Sequence, residues 1–143
     1  MTVSDNMFIP RGIRNNNPLN IRVGNQWIGE VENPTDKDFE QFESMFYGLR
    51  AGFILLKRYI CRYGLDNITE IISRWAPASE NNTRHYIHMV ARLSGVGAIE
   101  TIKWTEGDKI CLIVSAMIYV ECGQEIPLNE ISKAYDAVRN LNV

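Results

Sequence analysis

The chain has 143 residues, of which 45% are hydrophobic and 22% charged, and its net charge is −2. Those values describe one folded domain with enough apolar material for a core, and they argue against a disordered chain. The near-neutral charge gives no general drive toward nucleic acid or an anionic membrane surface. No apolar run approaches the ~20 residues of a membrane span, so none is expected. Residues 1–10 lack the charged start and apolar stretch of a secretory signal. The protein is therefore expected to be made in the cytoplasm and to act elsewhere only if something carries it there.

In chain order, residues 1–10 read as an N-terminal arm, and the polar run continues as loop to about residue 17. Three short extended pieces are predicted at 19–23, 26–32 and 39–42. They are separated by the turn signals Gly24-Asn25 and Asn33-Pro34-Thr35-Asp36. Together they make a small three-stranded antiparallel β-lobe over 18–43.

From Ser44 the period changes to helical, with Phe46, Leu49, Phe53, Leu56 and Ile60 on one face and Gly64 as the stop. Asn67 is placed to cap a short helix through Ile71, Ile72 and Trp75, ended by Pro77. Another helix is predicted from about Asn82 to Leu93. Thr105-Glu-Gly-Asp opens a helix carrying Ile110, Ile113, Val114, Met117 and Ile118, apolar almost all round and so expected at the centre of the body. Gly123 ends it, and Asn129 is expected to cap the last helix. The fold class is α+β, mainly α: a helical body over 44–141 with the lobe near the N-terminus, in a single domain.

Cys61, Cys111 and Cys122 are few and widely spaced. Cys61 and Cys111 sit in apolar helical patterns, where buried reduced thiols are expected, and no zinc or disulfide spacing is present. A nucleophilic pair of Cys122 with His85 or His88 lacks any supporting local signature.

Three constellations carry possible chemistry. Glu121 follows a long apolar helix and directly precedes the stretch ending at Gly123. Partial burial and the negative end of the helix dipole would both favour its protonated form, which suits a general acid; the plainer alternative is a glutamate facing water. The loop Arg11-Gly-Ile-Arg-Asn-Asn-Asn-Pro-Leu-Asn-Ile-Arg22 offers amide donors and acceptors at Asn15, Asn17 and Asn20, and Arg14 as an anion contact. Turn and capping work is the plainer reading for these asparagines. The run from Trp75 through Glu80, Asn81 and Tyr86 offers stacking platforms and polar contacts, with Trp27 as a weaker candidate; a helix start explains much of it too.

Taken together, that loop, Phe39-x-x-Phe42, Tyr47-Gly-Leu-Arg-Ala51, Arg74-Trp-Ala-Pro-x-x-Glu-Asn-x-Thr83, Tyr86-Ile87 and Glu121-x-Gly123 resemble a family of small phage virion-associated or prophage-encoded proteins connected with peptidoglycan degradation. The resemblance spans roughly residues 11–127. The chain departs from the family at Leu19, Asn82, Val120 and Cys122, where Gly, Asp, His and Asn are usual. A weaker similarity links the same pieces to glucosaminidases of the lysozyme-like superfamily, with the acid last instead of first, as in a circular permutation.

The resemblance implies cleavage of β-1,4 glycan bonds in peptidoglycan by a muramidase, glucosaminidase or lytic transglycosylase. Glu121 is the expected acid, and Asp36, Asp38, Glu40 or Glu80 a second carboxylate if the enzyme is a hydrolase. No metal or cofactor is expected. The expected partners are peptidoglycan strands, with a virion component or an immunity protein as protein partner; the site of action is the bacterial cell wall or periplasm, or a phage virion. The alternative is a non-catalytic virion structural or glycan-binding protein.

Overall fold

The computed structural model describes residues 9–79 and 81–143. The architecture is mainly helical: α1 (Arg11–Arg14), α2 (Met45–Lys57) continued by a π-helical turn (Arg58–Arg62), α3 (Ile68–Trp75), α4 (Thr83–Ser94), α5 (Gly107–Cys122) and α6 (Leu128–Val138).

The core forms where the apolar faces meet. α5 buries Ile110, Ile113, Val114, Met117 and Ile118, and it packs between α4 and α6 while α1 rests on it. α2 contributes Leu49, Phe53, Ile54 and Leu56 and packs along α6. Burial of this kind is worth roughly 1.5–3 kcal/mol per large side chain, so the five apolar residues of α5 anchor the body. The far end is closed by polar ties: Tyr135 donates to the Trp104 carbonyl at 2.7 Å, and Trp104 Nε1 donates to the Arg139 carbonyl at 3.0 Å. Lys57 also donates to the carbonyls of Arg139 and Leu141, tying the chain that follows α6 to the end of α2.

The expected helices are present, with local corrections. Asn67 caps α3 by accepting from Glu70 N at 2.9 Å, and Asn82 caps α4 by accepting from His85 N at 3.2 Å. Gly123 ends α5 in the left-handed region. Asn129 is not a cap: α6 already starts at Leu128, behind Pro127. The helix expected to run to Gly64 changes pitch at Arg58, where Tyr63 N bonds back five residues to the Arg58 carbonyl at 3.1 Å. The polar run before residue 17 contains the short helix α1 instead of loop alone. Cys61 is exposed, whereas Cys111 and Cys122 are buried, and all three are free thiols.

The three-stranded lobe is the main correction. Among the described residues, segment 18–43 contains two isolated antiparallel bridges, Arg22 with Phe39 and Glu30 with Phe42, and no continuous strand. The middle piece of the lobe is residues 38–43, which bonds to 21–23 on one side and to 29–31 on the other: Val23 N to the Asp38 carbonyl, Glu40 N to that of Ile21, and Val31 N to that of Gln41. Side chains do the rest of the work that a ladder would do. Asn17 bonds both the amide and carbonyl of Ile21 and the carbonyl of Glu40. Gln41 Oε1 accepts from the amides of Thr35 and Asp36, and Asp36 Oδ1 from those of Asp38 and Phe39. A segment rich in Asn, Asp, Gln and Gly satisfies its backbone locally and leaves regular pairing behind. Its small apolar centre is Ile21, Phe42 and Ala51, with Trp27, Tyr47, Leu55 and Trp75 against it.

Two glycines of α2 let the polar loop lie directly on the body. A Cβ at Gly48 would collide with the Asn16 carbonyl, and one at Gly52 would meet Leu19 Cδ1 at 2.5 Å. Leu19 fills that space and is fully buried.

Candidate functional site

The site is built where the Asn-rich loop meets the end of α5. Asn17, wholly buried, fixes the turn, and Asn20 follows it with φ +51°, a left-handed conformation that asparagine tolerates. This turn aims the Asn20 side chain at the end of α5. Gly12 in α1 makes room for it: a Cβ there would stand 2.8 Å from both Asn20 Oδ1 and Cys122 Sγ.

Glu121 is held from both sides. Asn20 Nδ2 donates to Oε1 at 2.8 Å, and the Tyr86 hydroxyl donates to Oε2 at 2.8 Å. Burial raises the Glu121 pKa, and these two hydrogen bonds pull it back only in part, leaving it above the ordinary value. Burial, reinforced by the neighbouring Glu121 charge, pushes the Tyr86 hydroxyl well upward, so Tyr86 stays a donor. The result is a carboxyl in fixed orientation whose protonated form is favoured beyond that of a free glutamate.

Glu121 opens into a groove of about 360 Å³ between lobe and body. Asn20, Phe39 and Asn25 line the lobe side; Tyr59, Arg74, Trp75 and Asn81 line the body side. Tyr59 and Trp75 meet edge to face at 5.7 Å, which gives that wall a rigid aromatic surface. A larger cavity of about 820 Å³ lies between the first turns of α5 and α6, and Glu121 does not line it.

Of the residues singled out from the sequence, Glu121, Asn20, Trp75 and Asn81 come together in the groove. Tyr86 is at the site but buried, touching Glu121 through its hydroxyl, so it is no open stacking platform. Glu80 lies outside the described residues.

The others are placed elsewhere. Asn15 and Asn17 are buried and spent on internal bonds: Asn15 joins Asp36 at 2.9 Å and Gln41 at 3.1 Å, which corrects the expectation that they face a ligand. Arg14 is exposed and lines a separate depression with Asp36 and Lys37. Trp27 packs on the lobe's apolar centre under the Arg58 guanidinium, 5.8 Å away.

Asp36 and Glu40 also lie off the groove. Arg11 grips Asp36 through two bonds of 2.7 and 2.6 Å, and that guanidinium, with Asn15 and two backbone amides, holds the carboxyl far below its usual range. A carboxylate so stabilised is a poor proton acceptor, and its work is to organise the loop. Glu40 is buried, and burial, then a hydrogen bond and charge from Glu30, push its pKa up to about 7.

Tyr59 and Arg74 were not among the expected site residues. Tyr59 sits in the π-helical turn, where one extra residue per turn moves side chains off the face that a regular helical period assigns. Arg74 stands directly before Trp75 in a motif already singled out, and that adjacency was its available signal.

The arrangement defines a class: a small, mainly helical protein whose polar N-terminal segment closes one wall of a groove over a half-buried carboxyl. No family model matches the chain. It is 40% identical over 131 residues to Protein P5 of Pseudoalteromonas phage PM2, a match covering 88% of this chain and 80% of P5. The chain belongs to the family of that phage protein.

Proposed function

We propose that the protein is a phage-associated peptidoglycan glycosidase with a circularly permuted, lysozyme-like body, and that Glu121 is its general acid. The observation that carries this reading is the Glu121 carboxyl, oriented by Asn20 and Tyr86 and opening into an aromatic-walled groove. Burial favours its protonated form beyond that of a free glutamate, and that is the form that protonation of a leaving glycosidic oxygen needs. Trp75 offers an apolar face to a sugar ring, and Asn81 an amide to its hydroxyl or acetamido groups.

Among the described residues lining the groove, Glu121 is the one carboxylate. One acid suffices for a single-acid route, in which a hydroxyl of the sugar takes the place of a second carboxylate. Glu121 gives its proton to the bridging oxygen as the bond to the anomeric carbon breaks. A hydroxyl of the same sugar then attacks that carbon, and its proton returns to Glu121. The product is an internal anhydro sugar, and the acid is regenerated. The sites of action are the cell wall or periplasm, reached from a virion.

A non-catalytic glycan-binding virion component is the second reading. Val120 and Cys122 favour it, because they place apolar groups beside the acid where the resembling family has His and Asn. Zymography on peptidoglycan separates the two. Clearing by the wild type that falls about 10²–10⁴-fold in Glu121→Gln supports catalysis, with anhydro ends in the products marking the single-acid route. Binding without clearing by either protein supports the second reading.

A further inference from the structure

We propose that Arg74 makes this groove selective for glycans that carry carboxylates, over neutral amino-sugar polymers of the same linkage. The inference deepens the glycan reading of the groove and rests on it.

Arg74 occupies the last turn of α3 and lines the groove that holds Glu121. Its guanidinium lies over the Tyr63 ring at 4.5 Å and near the Tyr59 ring at 5.4 Å. Stacking of this kind engages the flat face of the guanidinium and leaves its N–H edge for in-plane acceptors. Both rings hold the guanidinium by its face, and its N–H donors remain for a ligand. No carboxylate among the described residues lies within ion-pair distance of Arg74.

Arg74 shares the groove lining with Glu121, whose carboxyl burial biases toward neutrality. A neutral polysaccharide gains little from a stacked, oriented cation at the rim. A polymer with a carboxylate recurring along it gains a charge-assisted, two-pronged contact in register with the acid. In a muramic-acid glycan that carboxylate is either the free lactyl group of a peptide-stripped strand or a group on the stem peptide, since the stem consumes the lactyl carboxylate as an amide.

The test uses the full chain carrying Glu121→Gln, so that no probe is turned over, with binding read by tryptophan fluorescence. The probes are chitohexaose, a peptide-stripped muramic-acid glycan of similar length, and the same glycan bearing stem peptides. We expect an anionic glycan to bind about tenfold more tightly than chitohexaose. Preference for the stripped glycan identifies the lactyl carboxylate as the contact, and preference for the stem-bearing form alone identifies the peptide. Adding Arg74→Met should erase the preference while chitohexaose still binds, and Arg74→Lys should restore part of it. Equal binding of neutral and anionic glycans, or a preference that survives Arg74→Met, overturns the inference and leaves the glycan reading standing. No binding of any probe overturns both.

Discussion

The hydroxyl of Tyr86 donates to Glu121 Oε2 at 2.8 Å, tying the first turn of α4 to the last turn of α5 across 35 positions of chain. The bond favours the ionised carboxyl, whereas burial favours the neutral one, and burial prevails. Tyr86→Phe removes the first influence and keeps the ring. The Glu121 pKa is then expected to rise further, so its proton-donating form persists to higher pH. The alkaline limb of the pH–rate profile should move upward, and stability should fall by about 1–2 kcal/mol for the lost bond. An unmoved limb, or an unmoved Glu121 carboxyl titration by NMR, would remove Tyr86 from the tuning of the acid.

Glu40 gives a pH dependence of opposite use. Its carboxyl titrates near 7 in the folded protein against 4.5 ordinarily, and its buried Oε2 has no hydrogen-bond partner among the described residues. Between those values the folded state holds a proton that the unfolded chain has released. Stability from this group is therefore complete below pH 4.5 and declines as pH rises to about 7. Glu40→Gln should flatten that decline, stabilising the protein by about 1–3 kcal/mol at pH 8 and changing it little at pH 4. Thermal melts of both proteins across this range check it, and parallel curves would mean Glu40 is not the group responsible.

The helices were legible because their signals are periodic and local. Leu49, Phe53 and Leu56 mark the buried face of α2, Asn67 and Asn82 cap α3 and α4, and Gly123 stops α5. The lobe was not, because the same turn residues that suggested hairpins satisfy the backbone themselves; Asn17 alone makes three such bonds. The meeting of Glu121 with the Asn-rich loop follows from contacts separated by 101 positions. No local pattern contains that information. Which asparagine points outward was equally hidden, since Asn15, Asn17 and Asn20 differ in burial only once the loop is laid on α2.

Gly48 and Gly52 separate backbone crowding from side-chain crowding on the same helix. Gly48→Ala drives a methyl into the Asn16 carbonyl, which cannot move without lifting the loop that carries Asn20. We expect a loss of more than about 3 kcal/mol, or failure to fold. Gly52→Ala meets the tip of the Leu19 side chain, which can rotate, and helix propensity returns about 1 kcal/mol. Its net cost should stay within about 2 kcal/mol. Denaturant melts compare them directly, and equal costs would mean the loop gives way as easily as a leucine does.

The three thiols should divide sharply in reactivity. Cys61 is exposed on the π-helical turn, outside the core. Cys111 and Cys122 are buried, and burial pushes each thiol up to about 11, with Asp136 and Asp108 adding to the rise at Cys111 and Glu121 at Cys122. Cys122 also donates to the Pro18 carbonyl at 3.3 Å, which ties it to the loop. Only the thiolate reacts with disulfide reagents, so access and ionisation act in the same direction. At pH 8 the native protein should titrate one fast thiol, absent in Cys61→Ser, and denaturant should reveal the other two. Rapid modification of Cys122 in the native state would show that the loop opens from α5 on that timescale, and it would make the Asn20–Glu121 contact a transient one.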